Sequence, residues 1–388
     1  MTTIFNKDKV DILNTDLILG ESTGVARYDV VKHSVFEDLT EKQLSFFWLP
    51  QEISLALDRV QYQNLSKVEQ RFFTENLKYQ TLLDSIQGRA PNLALLPLIS
   101  DVAFETWVST WAFSETIHSR SYTHIMRNCF TDPAKEFDAI IDNPAIMRRA
   151  ESISHYYDDL IEKTREYRNC ETVLKMLENE NHNDELIIST ERELLEAKRE
   201  LMKSFYLCMH CINALEAIRF YVSFACTFNF AEQGKMEGNA KIMKFIARDE
   251  QLHLKGTQYV IRLLQSGDEG EEWINIANEC KAEATKIFLD VVAQEKEWID
   301  HLFSEGNVPG LNTEILYAYV EYLAYTRMKN VGLDTPFKAG RHPIPFMRKW
   351  LNSDDVQAAA QETEIMYLVS QIDSDLTAAS YESFKEFL

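Results

Sequence analysis

The sequence predicts an all-α protein, and three observations carry that reading. Glycine and proline are scarce, 12 and 9 in 388 residues, well below the roughly 12% the two usually share. Long runs free of both place apolar residues at the three-to-four-residue spacing of a helix. No stretch of any length alternates apolar and polar residues as a half-buried strand does.

Residues 1–40 are mixed in composition and read as loop-rich. "LTEKQLSFFWLP" (39–50) begins as a helix and stops at Pro50. Residues 66–87 carry Leu77, Leu82, Leu83 and Ile86 at helical spacing, with Gly88 as the stop signal. Residues 98–128 contain neither proline nor glycine, and Pro133 follows. Residues 143–167 form an amphipathic helix. Residues 169–200 are charged and polar, and are expected to be a solvated, partly helical excursion. Helices then follow over 201–233, 235–265, 271–303 and 312–330. After Val331 a loop with three prolines ends in a short helix. Residues 353–388 are acidic with scattered apolar anchors, as in a mobile tail that orders on a partner. The chain thus divides into a body over 1–340 and a C-terminal loop and tail over 341–388.

Hydrophobic residues make up 45% of the chain, enough for a substantial core. The formal charge of −21 disfavours nucleic acid and anionic membranes, which both need clustered positive charge. "MTTIFNKDKVDILNT" lacks the apolar core of a signal peptide. The six cysteines, at 129, 170, 208, 211, 226 and 280, therefore read as free thiols in a reducing cytoplasm. Cys208 and Cys211 form a C-x-x-C without a second pair, inside an apolar helix, and read as buried and inert.

"HCINALEAIRFYVSFACTFNF" (210–230) holds two charges, Glu216 and Arg219, in an otherwise oily run. Those charges, with Asn213 and Asn229, argue against a membrane span. The run reads as an interior helix. An unpaired buried carboxylate is costly, so Glu216 needs a cation or a proton. The simplest partner is Arg219, three residues on.

A larger pattern competes with that pairing. Glu115 and His118, and again Glu250 and His253, are three apart, so each pair shares a helix face. Both faces are otherwise apolar, carrying Trp107 and Trp111 before Glu115, and Ile242, Met243 and Ile246 before Glu250. A dinuclear site in a four-helix bundle takes two Glu-x-x-His helices and one carboxylate from each of two others. Glu216 supplies one single carboxylate and Asp84 the other. Four carboxylates and two neutral imidazoles then balance two divalent cations. Mixed oxygen and nitrogen ligands suit iron or manganese, with open positions for dioxygen. Taken singly, Asp84 could be a solvated helix-end acid, and His118 and His253 ordinary core histidines. The order of all six favours the metal pair.

Tyr122 lies four residues after His118, one turn along the same side. It is either a packed core tyrosine or a one-electron donor beside the metals. Phe220, Phe224 and Ile246 would line a dry pocket around it. The expectation is a stored tyrosyl radical on Tyr122.

These residues also carry a family resemblance. "NLKYQTLLDSIQGRAPN", "ETWVSTWAFSETIHSRSYTHI", "NALEAIRFYVSFA", "GNAKIMKFIARDEQLHL" and "YLVSQIDSDL" resemble the small (beta) subunit of class Ia ribonucleotide reductase, of the bacterial or bacteriophage kind. The resemblance implies a ferritin-like helical bundle with a four-helix di-metal core and additional helices. It implies a homodimer with two iron ions per chain, oxo-bridged, held by Asp84, Glu115, His118, Glu216, Glu250 and His253. Dioxygen would be the oxidant, and manganese is not excluded by the ligand set.

The resemblance further implies that Trp48 supplies an electron, linked to the site through Asp249 and His118. Read from the residues alone, Trp48 could simply pack, and Asp249 could pair with Arg248 or Lys244. The radical would pass to a separate large (alpha) subunit, with Tyr367 as a tail relay. "SYESFKEFL", with Phe384, Phe387 and Leu388, looks like a helix-in-groove binder for that subunit. No glycine-rich phosphate loop is present, as befits a radical-supplying chain.

Three other readings compete. A di-iron hydroxylase or desaturase needs a substrate pocket at the metals, which the phenylalanine and isoleucine lining closes. An iron-storing ferritin relative does not need this length or this tail. A helical interaction protein would keep a salt-bridged core and bind no metal.

Overall fold

A computed structural model describes residues 6–21, 24–179 and 184–352. Tyr367 and the rest of 353–388 lie outside them. Among the described residues there is no strand, only two isolated bridges, Ile18 with Ile99 and Val308 with Leu311. The helices are α1 (Ser34–Ser45), α2 (Ala56–Asn64), α3 (Lys67–Gln87), α4 (Val102–Cys129), α5 (Pro133–Ile141), α6 (Pro144–Asn179), α7 (Asp184–Ala214), α8 (Phe220–Glu232), α9 (Glu237–Ser266), α10 (Glu271–Glu279), α11 (Lys281–Phe303), α12 (Thr313–Asn330) and α13 (Met347–Trp350).

Local chemistry sets the ends of these helices. Ser66 caps α3, and Glu69 reaches back to the Ser66 amide, a reciprocal capping box. Asp101 caps α4 through the Phe104 amide at 2.8 Å, and Asp132 caps α5 with Pro133 at its first position. The start of α9 borrows its cap from another helix. Asp58 on α2 accepts from the Gly238 and Asn239 amides at 3.1 and 2.7 Å. Gly267, at φ 89°, ends α9 in the left-handed region.

Helices α3, α4, α8 and α9 pack in a ring, each against its two neighbours. Their inward faces are buried, including Phe72, Trp107, Trp111, Phe224 and Ile246. Gly256 on α9 faces Trp107 on α4, and a methyl group there would lie inside the indole. Glycine is therefore required for the two helices to approach so closely. Outside this ring, α11 packs on α3, α7 and α12, and α1 covers α4 and α9.

The expected helices over 66–87, 98–128, 235–265 and 312–330 fall on α3, α4, α9 and α12. The 271–303 run is broken at Cys280 into α10 and α11. The helix expected to end at Pro50 ends at Ser45, so Trp48 sits in the following loop, yet it is buried. Residues 169–200 differ from expectation. They are helical wherever described, forming the outer parts of α6 and α7, which pack on each other. Past Leu160, α6 buries nothing more, and α7 buries only Thr190 before Leu201. The hairpin therefore extends about 28 Å beyond the last core contact of α6, and its polar composition reflects water on most sides. The described residues through Trp350 form one compact unit. Within it Trp350 stacks on Phe228 at 4.9 Å.

The run at 210–230 is not one regular helix. Between α7 and α8 the backbone widens into a single π-helical turn over Leu215–Arg219. Such a turn accommodates an extra residue and is frequent at functional positions.

Candidate metal centre

The π-turn answers the question Glu216 posed. On a regular α-helix Glu216 and Arg219 would lie only about 60° apart and could pair. The widened turn sets them further apart around the axis without by itself fixing where either points. Arg219 reaches Glu295 on α11, with Nη1 3.0 Å from Oε1. Glu216 turns the other way, to the Gln87 amide, which donates to its Oε1. The internal Glu216–Arg219 pair does not form.

Glu216 instead joins the other five candidate ligands. Asp84, Glu115, His118 and Glu250 bring ligand atoms within 4.8 Å of one another, and so do Glu115, Glu216, Glu250 and His253. The two sets share Glu115 and Glu250. Asp84 comes from α3, Glu115 and His118 from α4, Glu216 from the π-turn, and Glu250 and His253 from α9. All six are fully buried. The solvated-acid reading of Asp84 therefore does not hold.

Both imidazoles turn Nδ1 inward. His118 Nδ1 lies 3.0 Å from Glu115 and 3.2 Å from Glu250, with Asp84 at 3.9 Å. His253 Nδ1 lies 3.0 Å from Glu115 and 2.9 Å from Glu250. Their outer nitrogens are held from behind, His118 Nε2 by Asp249 at 3.2 Å and His253 Nε2 by Ser114 at 2.9 Å. An outer partner that fixes ring and tautomer is the usual support of a metal-binding histidine.

The electrostatics show what the arrangement lacks. Burial, then the neighbouring Glu115, pushes the Asp84 carboxyl far above the usual range. Burial, then Glu250, does the same to Glu216. Against burial, Glu115 and Glu250 hold the His253 pKa up at about 9. Neither oxygen of Asp84, nor Oε2 of Glu216, has a hydrogen-bond partner among the described residues. Orphaned buried carboxylate oxygens are costly unless a cation meets them. The donor set and these free oxygens fit a pair of divalent ions.

The second tier is equally buried. Trp48 Nε1 donates to Asp249 Oδ2 at 2.9 Å, the same oxygen that His118 approaches. Asp249 touches Arg248 only at 3.5 Å, so it does more than pair with its neighbour. The Tyr122 hydroxyl makes no well-formed hydrogen bond among the described residues, and Asp84 is the carboxylate that acts on it most strongly. Burial, then Asp84, raises its pKa well above the ordinary phenol value. Sequence reasoning missed three supports. Gln87 holds Glu216 and is itself held by Tyr157, whose hydroxyl donates to Gln87 Oε1 at 2.8 Å. Trp111 Nε1 donates to Glu115 Oε1 at 2.8 Å. Gln87, three residues past Asp84, was findable from helical spacing; Tyr157, on a distant helix, was not.

Residues 27–343 match the family described as Ribonucleotide reductase, small chain. The chain belongs to that family. It is 56% identical, over its whole length and all of the relative, to the ribonucleoside-diphosphate reductase subunit beta of Enterobacteria phage T4. It is 52% identical to the ribonucleoside-diphosphate reductase 1 subunit beta of Escherichia coli O157:H7, over 99% of each chain. These place it in the bacterial and bacteriophage branch of the small subunits, as the sequence motifs anticipated, and make it part of a ribonucleotide-reducing enzyme.

The fold is that of the ribonucleotide reductase R2 subunit from Clostridium botulinum, with a TM-score of 0.70 at 24% identity, covering 90% of this chain and 98% of that one. A crystal structure of dimanganese(II)-NrdF from Streptococcus sanguinis superimposes with a TM-score of 0.65 at 19% identity, covering 85% and 100%. The all-α, ferritin-like class is thereby established. Among the described residues no helix is long and apolar enough to cross a membrane. Cys208 and Cys211 are buried free thiols, and burial raises both pKa values, Cys211 to about 12, so neither is poised to react.

Proposed function

We propose that this small subunit holds two redox-active metal ions and uses them to form and store a radical on Tyr122 for delivery to a large subunit that reduces ribonucleotides. The observation that carries the reading is the pair of overlapping ligand sets sharing Glu115 and Glu250, with unpartnered oxygens on Asp84 and Glu216. Asp84, Glu115, His118 and Glu250 would hold one ion, and Glu115, Glu216, Glu250 and His253 the other. Iron is the preferred metal and manganese fits the same donors. Bound there, the pair supplies a one-electron oxidant on reaction with dioxygen.

The protein's own groups prepare the rest. His118 and His253 present Nδ1 because Asp249 and Ser114 hold their outer nitrogens. Tyr122 keeps its proton at Oη, since its pKa is raised. When it loses an electron that proton needs an acceptor, and Asp84 is the carboxylate acting on it most strongly. Phe220 and Phe224, on α8 directly after the π-turn, and Ile246, on α9 with Glu250, are fully buried and would keep water from a radical. The shared oxygen of Asp249 couples Trp48 to His118, a route for an electron from the loop to the cluster.

The chain would act as a homodimer in the cytoplasm. Leu44, Phe47, Leu49 and Phe113 are exposed on and beside α1 and α4, and Phe47 stacks on Phe113, an apolar surface suited to a second copy. The large subunit would bind through residues 353–388, with Tyr367 as relay.

The test is aerobic reconstitution of the full chain with ferrous iron, reading metal content and electron paramagnetic resonance on one sample. The expected result is two irons per chain with a tyrosyl signal. In Tyr122→Phe the irons remain and the stable signal is gone. Retention of the same spectrum in that variant refutes the role of Tyr122.

A further inference from the structure

A second buried charge cluster stands beside the metal centre and contributes no ligand to it. Arg219 is fully buried, three residues from Glu216 on the same π-turn. Its Nη1 meets Glu295 Oε1 at 3.0 Å and donates to the Tyr79 hydroxyl at 3.4 Å. Its Nη2 donates to Gln294 Oε1 at 2.7 Å and to Ser152 Oγ at 3.0 Å. Tyr79 donates to the same Glu295 oxygen at 2.6 Å, and Arg149 approaches that oxygen at 3.5 Å. Two guanidiniums thus converge on one carboxylate, itself fully buried on α11.

The position of this cluster matters because of what Arg219 could otherwise do. A guanidinium three residues from Glu216 is the nearest cation in the chain sequence to that carboxylate. Turned toward them, it would satisfy the free Oε2 of Glu216 with a charge-assisted hydrogen bond. It would also put a fixed positive charge where a divalent ion is needed, and the two would compete for one carboxylate. The π-turn alone leaves Arg219 free to choose a side. Glu295, Tyr79 and Gln294 make that choice.

We propose that Glu295 is a positioning residue for the metal centre: by anchoring Arg219 to α11 it denies Glu216 an internal cation and reserves that carboxylate for the metal. The inference rests on the metal reading given above. It predicts an asymmetry that an ordinary structural ion pair does not. Loss of the anchor harms the ion held by Glu216 and His253 and spares the ion held by Asp84 and His118. Removing Arg219 as well restores what was lost.

The experiment titrates Mn(II) into the full-length protein, with free Mn(II) read by electron paramagnetic resonance and heats by calorimetry. Wild type takes up two ions per chain. Glu295→Gln keeps one at near wild-type affinity and binds the second about 10–100-fold more weakly, the usual effect of losing support behind a metal ligand. Glu295→Gln combined with Arg219→Gln recovers most of that loss. Equal weakening of both ions, unchanged binding in Glu295→Gln, or no recovery in the double variant overturns the anchor and leaves the metal reading standing. Tyr79→Phe, which removes one support of Glu295 without burying an unpaired arginine, serves if Glu295→Gln fails to fold. It weakens the second ion in the same direction, and unchanged affinity there overturns the proposal. A wild-type chain that binds no Mn(II) overturns the metal reading and the anchor with it.

Discussion

Trp48 and His118 meet at a single atom: the indole Nε1 and the imidazole Nε2 lie 2.9 and 3.2 Å from the same Oδ2 of Asp249. One carboxylate therefore fixes both the ring that faces the cluster and the ring that could feed it electrons. Asp249→Ala removes both restraints and is expected to weaken Mn(II) binding by about 10–100-fold. Asp249→Asn keeps an acceptor oxygen and loses less. Trp48→Phe leaves metal uptake as in wild type, because it unties only the far side. Binding isotherms for the three variants check this order, and a Trp48→Phe loss as large as that of Asp249→Ala contradicts it.

Gln87 reaches Glu216 only because its amide is oriented, and Tyr157 orients it. Gln87→Leu leaves Glu216 Oε1 without a donor and is expected to lower affinity for the second ion by about 10–100-fold. Tyr157→Phe frees the amide to flip, and costs less in the same direction. If Tyr157→Phe exceeds Gln87→Leu in effect, the tyrosine acts on the site by another route.

His210 offers a pH dependence away from the metals. It is fully buried on α7, its ring 4.7 Å from that of Tyr206, and neither nitrogen has a partner among the described residues. Burial alone depresses its pKa to about 3, against about 6.5 in an unfolded chain. Only the unfolded chain takes up the proton between those values. The neutral ring thus contributes stability that is fully present above about pH 6.5 and is lost as pH falls toward 3. Linkage puts the loss from near pH 7.5 to near pH 5 at about 2 kcal/mol. His210→Leu abolishes that contribution. Urea unfolding of both proteins at the two pH values should show their stability difference shifting by about this amount in favour of the variant. A pH-independent difference removes the argument.

Phe113 is 53% exposed on α4 and stacks on Phe47, with ring planes 9° apart. In an isologous dimer such a patch meets its own copy. Phe113→Asp is expected to weaken self-association by about 30-fold, a hot-spot loss of roughly 2 kcal/mol. Sedimentation velocity across a concentration series reads it. An unshifted dimer would place the contact on another face.

The six candidate ligands were legible because chemistry and period coincided. Glu115 with His118 and Glu250 with His253 sit at helical spacing on faces that are otherwise oily, a combination a solvated surface does not produce. The order of the six favoured metal over Arg219 as the partner of Glu216, but where Arg219 itself would turn was not legible. Helical spacing assumes a constant turn, and the π-turn over Leu215–Arg219 breaks that assumption at the one place where it decides the pairing. The supports Tyr157 and Glu295 lie far along the chain, on helices whose sequence says nothing of what they face. Residues 169–200 misled for a different reason. Their charges signalled exposure correctly, but exposure is compatible with two long helices that pack on each other, and the run is rich in good helix formers.

The absent side chain at Gly256 acts as a gauge. Helices α4 and α9 each bring a carboxylate and an imidazole to the centre, and they touch where the Trp107 indole occupies the space a methyl group would claim. The width of the cavity between them is thus set by a hydrogen atom rather than by any group that takes part in the chemistry. Any larger residue at 256 would act as a wedge, prising the two histidines apart while leaving every ligand in the sequence untouched.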